Sequence, residues 1–239
     1  IAHDIKLAEG PRLQPASRSF IGRYNIPITH HCTFGELAQY FKEKYYPELE
    51  LSVIKMLNWN RRGNTGYPFF PTSPAIQKRE TTYTYPGACL FEGLNIHEGR
   101  GTEHPFSQFG APWINAELLY SHAIKELNSD ADIEIVKYTS RVGIYLNEEC
   151  HGLRVIPKKP AGFQSVQYFI KIIQLLDRLF PNQLQESNYL TNVNPTGEKH
   201  LDKLLGISDA FHYILKNKVD TSKDMDQWQK DIAPYLLYQ

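Results

Sequence analysis

The chain has 239 residues and sets 26 Lys and Arg against 26 Asp and Glu, a formal net charge of zero. That balance leaves no basic face for the counterion release that drives binding to DNA or RNA, so no nucleic-acid partner is expected. No apolar run reaches the ~20 residues of a membrane-spanning helix, because Lys171, Asp177 and Arg178 interrupt the most hydrophobic stretch.

Residues 1–31 read as extended and turn-rich, since Pro11, Pro15 and Pro27 each fix φ and remove a donor, and SFIGRYNIPI offers one short strand. From Thr33 the pattern turns helical. Thr33 and Glu36 have capping-box spacing, Phe34, Leu37, Ala38 and Phe41 recur at helical intervals, and Pro47 ends the run. LELSVIKML, with β-branched Val53 and Ile54, then reads as a strand. Residues 58–86 are proline-rich and aperiodic, a long irregular segment of the kind that is either functional or disordered. In NAELLYSHAIKELN, Asn115 caps a helix with apolar residues at 116, 118, 119, 123, 124 and 127. DIEIVKYTS and GLRVIP read as strands, the second closed by Pro157. QSVQYFIKIIQLLDRLF is the clearest helix: Val166, Phe169, Ile170, Ile173, Leu176, Leu179 and Phe180 follow a 3.6-residue period as far as Pro181. The last forty residues suggest two or three short helices anchored by Trp228 and Leu236. This order predicts an α/β fold of the mixed α+β kind.

Chemistry concentrates in YPGACLFEGLNIHEGRGTEHPF, residues 85–106. Gly93 and Gly99 let the backbone turn sharply beside Glu92 and Glu98 and aim the carboxylates into a cleft. Arg100 can grip an anionic group with its planar fork, and His104 can exchange a proton near neutral pH. An equal alternative is that Glu98 and Arg100 pair only to stiffen a turn. The stretch lacks the spacing of a nucleotide loop, and no GxSxG elbow is present. Cys32, Cys89 and Cys150 form neither a disulfide framework nor a zinc pattern, and Cys89 reads as a small buried hydrophobe. NEECHG joins Glu148, Glu149, Cys150 and His151, yet an adjacent Cys and His seldom reach one ion, and His30 and His31 lack an HExxH setting. No metal and no cofactor is therefore expected. Tyr67, Phe69, Phe70, Tyr83, Tyr85, Phe91, Phe106, Phe109 and Trp113 crowd the same region. Flat apolar faces beside acids suit a sugar ring, and paired carboxylates are what glycosidic cleavage requires; core packing is the competing account of each aromatic.

The segment YPGACLFEGLNIHEGRGTEHPFSQFGAPWI resembles the most characteristic stretch of the DUF1343 family, also called the NamZ exo-β-N-acetylmuramidases. AEGPRLQPASRSFIGRYNIPITHHCTFGELAQYF, NEECHGLRV and the terminal APYLLY resemble further family motifs in the same order, so the likeness runs from about Glu9 to Tyr238. The resemblance implies a two-domain protein, a Rossmann-like N-terminal domain and a smaller C-terminal α/β domain with the active site between them. It makes residues 1–31 the tail of the first domain with its linker and residues 32–239 the second domain, with the Rossmann-like domain mostly absent from this chain. The opening on Ile1 rather than Met fits a leader or domain upstream.

The implied activity is that of an exo-acting glycoside hydrolase releasing N-acetylmuramic acid from non-reducing ends of peptidoglycan fragments. Its partner would be a peptidoglycan-derived saccharide, and its location periplasmic or extracellular after export from a bacterium. The alternative is a catalytically inactive, muropeptide-binding module of the same fold. Glu9, Glu92, Asn95, Glu98, Arg100 and Trp113 fall on motif positions. Glu98 and Glu92 are assigned to catalysis, and Arg100, Asn95, Glu9, His104, Tyr85 and Trp113 to substrate binding, with the lactyl carboxylate facing Arg100. The chain departs from the family pattern at Glu103, His104, Asn115 and His151, where Thr, Arg, Asp and Gly are usual. Loss of the cation at 104 bears on which sugar fits.

Overall fold

The computed structural model describes residues 4–61 and 68–238, so Tyr67 lies outside the described residues. Helix α1 spans Phe34–Tyr45 and begins on the expected capping box: Glu36 N donates to Thr33 Oγ1 at 3.3 Å and Thr33 N to Glu36 Oε2 at 2.7 Å. After it come α2 (Thr81–Ala88), β1 (Gln108–Ala111), α3 (Ala116–Glu126), β2 (Ala131–Thr139), β3 (Glu149–Pro157) and α4 (Ser165–Leu179). Three short helices complete the chain, α5 (His200–Leu205), α6 (Ala210–Leu215) and α7 (Met225–Ile232). The result is a mixed α+β architecture around one antiparallel sheet in the order β1-β3-β2.

Register is set by side-chain size at the centre of the sheet. Gly110 pairs with Gly152, and a Cβ on Gly152 would lie 1.9 Å from the Phe109 carbonyl oxygen, so only glycine lets β1 approach β3. Charged pairs tie β2 to β3, with Glu134 against its register partner Arg154 at 3.2 Å and Lys137 diagonally against Glu149 at 2.9 Å. The covered face belongs to a core that includes Phe91, Phe109, Leu119, Leu153, Phe169 and Leu176. Asn115 caps α3 through its Oδ1, which accepts from Leu118 N at 2.9 Å. A smaller core joins α1 to α7, where fully buried Trp228 meets the Tyr40 ring edge-on at 5.5 Å. Glu36 also accepts from Leu237 N and pairs with Arg61, fastening residues 236–238 beside α1.

Four local expectations change. SFIGRYNIPI forms no strand; among the described residues its one ladder contact is the isolated bridge of Thr29, just beyond it, with Glu9. LELSVIKML is also irregular, because no strand among the described residues pairs with it, and Ile54 stands 95% exposed. Thr81–Ala88 is helical despite Pro86, which removes one helical N–H donor two residues before the helix ends. β1 escapes recognition in the sequence because QFGA is buried throughout and shows no alternation. Among the described residues no helix is long and apolar enough to cross a membrane.

Candidate active site

Residues 94–98 run beside β1: His97 N donates to Gly110 O at 2.8 Å and Gly110 N to His97 O at 3.0 Å. The buried His97 ring anchors the turn at residues 98–100. Its Nδ1 accepts from Gly99 N at 3.1 Å, so Nε2 bears the proton and donates to Val142 O at 3.1 Å. Burial lowers the pKa of this imidazole, in keeping with a neutral ring. Gly99 has φ +76°, and a Cβ there would meet Gln108 O at 2.5 Å, so the chain turns on a residue that must be glycine. That turn sends Glu98 and Arg100 to the same side. Glu92 comes from the short 3-10 turn Cys89–Gly93 immediately after α2.

The three side chains meet. Arg100 Nε donates to Glu98 Oε1 at 2.9 Å, and its Nη2 donates to Glu92 Oε1. Glu98 is 5% exposed and the Glu92 side chain 10%, while the Arg100 side chain is 36% exposed, so the cation faces outward over a buried and a nearly buried acid. Its guanidinium lies 5.1 Å from the centroid of the Phe106 ring, a cation–π contact. Glu92, Glu98 and Arg100 line a hollow of about 460 Å³ with Gly143, Ile144 and Tyr189. On its other flank Arg100 borders a second hollow of about 810 Å³, walled by Pro74, Lys78, Thr102, Glu103 and Val142.

Tyr85 stands behind this cluster. It packs edge-on against Phe106 at 4.8 Å, and its phenol is pushed up to about 12, by burial first and also by the nearby Glu92 carboxylate. The remaining assigned residues do not reach either hollow. Glu9 is buried under the start of α4, accepting from Val166 N at 2.9 Å and Gln167 N at 3.1 Å, where it satisfies helix N–H groups that have no partner within the helix. Asn95 is spent on the segment after α4: its Oδ1 accepts from Gln185 N at 2.8 Å and its Nδ2 donates to Gln183 O at 2.9 Å. Trp113 donates to Tyr145 OH at 3.1 Å, and that hydroxyl donates to Asn95 O at 3.0 Å, which braces the loop carrying Gly143 and Ile144. His104 sits past the turn, its imidazole held below its ordinary pKa by burial and by the cations Arg154 and Lys78.

Residues 83–238 match the family model described as exo-β-N-acetylmuramidase NamZ, C-terminal, and residues 3–80 match its N-terminal counterpart. The chain belongs to the NamZ family. It is 34% identical over 243 residues to the peptidoglycan β-N-acetylmuramidase NamZ of Bacillus subtilis (strain 168), covering 96% of this chain and 56% of that protein. Two DUF1343 family proteins of Bacteroides fragilis NCTC 9343 share the fold. One superposes with a TM-score of 0.82 at 21% identity, covering 97% of this chain and 62% of the other. The second gives 0.71 at 23%, covering 98% and 63%. The chain thus spans 56% of the curated relative's length. The N-terminal NamZ match extends to residue 80, past the division at 31/32 expected from the motifs.

The NamZ stretch from 85 to 106 does not hold the whole cluster. Tyr189 lines the hollow, and His200 reaches to 3.6 Å from Glu92 Oε2. Both come from NYLTNVNPTGEKHL, an aperiodic polar run after α4, and that irregularity was the one available signal. Cys89 is buried, which pushes its thiol up and leaves it a packing residue. In NEECHG, Glu149 bridges Lys137 at 2.9 Å and His151 Nε2 at 3.3 Å at the start of β3, and no group of three metal-ligating side chains occurs among the described residues.

Proposed function

We propose that the protein is an exo-acting glycosidase that releases N-acetylmuramic acid from the non-reducing ends of peptidoglycan fragments. The carrying observation is that, in a NamZ-family chain, Glu92 and Glu98 converge on one outward-facing arginine at the wall of a sugar-sized hollow. Arg100 commits Nε and Nη2 to the two acids and has no partner for Nη1 among the described residues. That free edge suits the lactyl carboxylate that sets muramic acid apart from glucosamine. Glu98 spends only Oε1 on Arg100, and its Oε2 has no partner among the described residues, so Glu98 is the acid that meets the glycosidic oxygen. Both Glu92 oxygens face donors, Arg100 and His200, and Glu92 holds the cation against the sugar. Export and a Rossmann-like N-terminal domain belong to the same proposal; the match of residues 3–80 to the family's N-terminal model supports only that part of an N-terminal NamZ domain is present.

The test is hydrolysis of a chromogenic β-N-acetylmuramide by the full-length protein. Release of N-acetylmuramic acid is expected, and Glu98→Gln should lower kcat about 100- to 10,000-fold with affinity nearly unchanged. Tight binding of the sugar with no turnover in the unaltered protein overturns the hydrolase and leaves a binding module.

A further inference from the structure

Behind Glu92 stands a buried imidazole whose two nitrogens can be told apart. Lys203 Nζ, a group with donors only, lies 2.6 Å from Asn194 Oδ1, which fixes the orientation of that amide. Asn194 Nδ2 is then the donor, with Glu198 O at 3.3 Å and His200 Nδ1 at 3.4 Å. Nδ1 accepts, so Nε2 carries the proton. His200 Nε2 is buried without a hydrogen bond inside 3.5 Å among the described residues, and Glu92 Oε2 stands 3.6 Å away. Tyr189 stacks on the ring at 4.8 Å and 27°. The spacing is set by backbone, since a Cβ on Gly93 would lie 2.6 Å from Leu201 N, so α5 rests directly on the turn that bears Glu92. Contacts of this kind are often long in an empty site and close when ligand arrives.

We propose that His200 is a positioning residue, its Nε2–H oriented by Asn194 and Lys203 to hold Glu92 in place while Arg100 turns toward an anionic sugar. The kinetic part rests on the glycosidase reading; the tautomer does not. In the full-length protein, His200→Phe keeps the stacked ring and removes both nitrogens, and His200→Gln returns an amide N–H near the position of Nε2. The expected result is a fall in kcat/KM of about 10- to 100-fold for Phe, the worth of a hydrogen bond to a charged group, with most of the loss restored by Gln. Long-range ¹⁵N–¹H spectra of the imidazole should show the Nε2–H tautomer alone, and Asn194→Leu should release the second tautomer. An Nδ1–H tautomer in the unaltered protein overturns the proposal, as does a Phe variant as active as its parent. If the unaltered protein turns nothing over, the glycosidase reading fails, and the same comparison is read on affinity for N-acetylmuramic acid. There, weakening by Phe with restoration by Gln supports the proposal, and equal affinities overturn it.

Discussion

Glu9 offers a quantitative test of how the first residues are bound to α4. Its carboxyl accepts two backbone N–H bonds, which favour the charged form, yet burial outweighs them and raises its pKa from the ordinary 4.5 to about 7. Between those values the folded protein binds more protons at this site than the unfolded chain. The stabilisation is therefore fully present below about pH 4.5 and is lost as the pH climbs through about 7. At ~1.4 kcal/mol per pH unit, the gap between the two values corresponds to about 3 kcal/mol. Glu9→Gln keeps the shape and one acceptor oxygen but removes the titration. Urea unfolding of both proteins at pH 4.5 and pH 8 isolates the effect, because every other group cancels in the comparison. The unaltered protein should lose about 3 kcal/mol more than the variant over that interval. Parallel pH profiles would refute the reasoning, and a variant altered only in KM for the sugar would return Glu9 to the substrate.

Arg100→Lys keeps the charge but not the fork that spans Glu92 and Glu98, and should raise KM for a muramide about 10- to 100-fold while sparing the matching glucosaminide, which lacks the lactyl acid. Equal losses on both glycosides, measured by steady-state kinetics, would show that Arg100 does not read that group. Gly152→Ala drives a methyl into the Phe109 carbonyl, which is backbone and cannot step aside, so thermal unfolding should show a loss of at least about 1–3 kcal/mol. An unchanged Tm would mean that the β1–β3 register is looser than the pairing of Gly110 with Gly152 implies.

Sequence carries local instructions well and remote partners poorly, and particular residues show where the line falls. Helices α1, α3 and α4 were legible because each pairs a stop or cap signal, Pro47, Asn115 or Pro181, with a period that only a helix satisfies. β2 and β3 were legible from β-branched content. Val53 and Ile54 carry the same preference, but a strand needs a neighbour, and whether one exists is decided elsewhere in the chain. Within the site, Glu92, Glu98 and Arg100 could be grouped because they fall within nine residues, each acid beside a glycine. His200 could not, since its approach to Glu92 depends on the contact of Gly93 with Leu201, which no spacing announces. Glu9, Asn95 and Trp113 show the converse: they fall on motif positions, yet their polar atoms are engaged by helix ends, loop backbone and a neighbouring tyrosine.

Arg100 is a partition, for the same residue bounds both hollows. A swing of that side chain into one chamber would leave more room in the other. A molecule long enough to cross the divide would have to displace the cation, whereas two small ones, one on each side, would compete for its position without ever touching. Inhibition by a compound seated beyond the divide would then show mixed kinetics against the sugar, and replacing the arginine would merge the two chambers and abolish the antagonism.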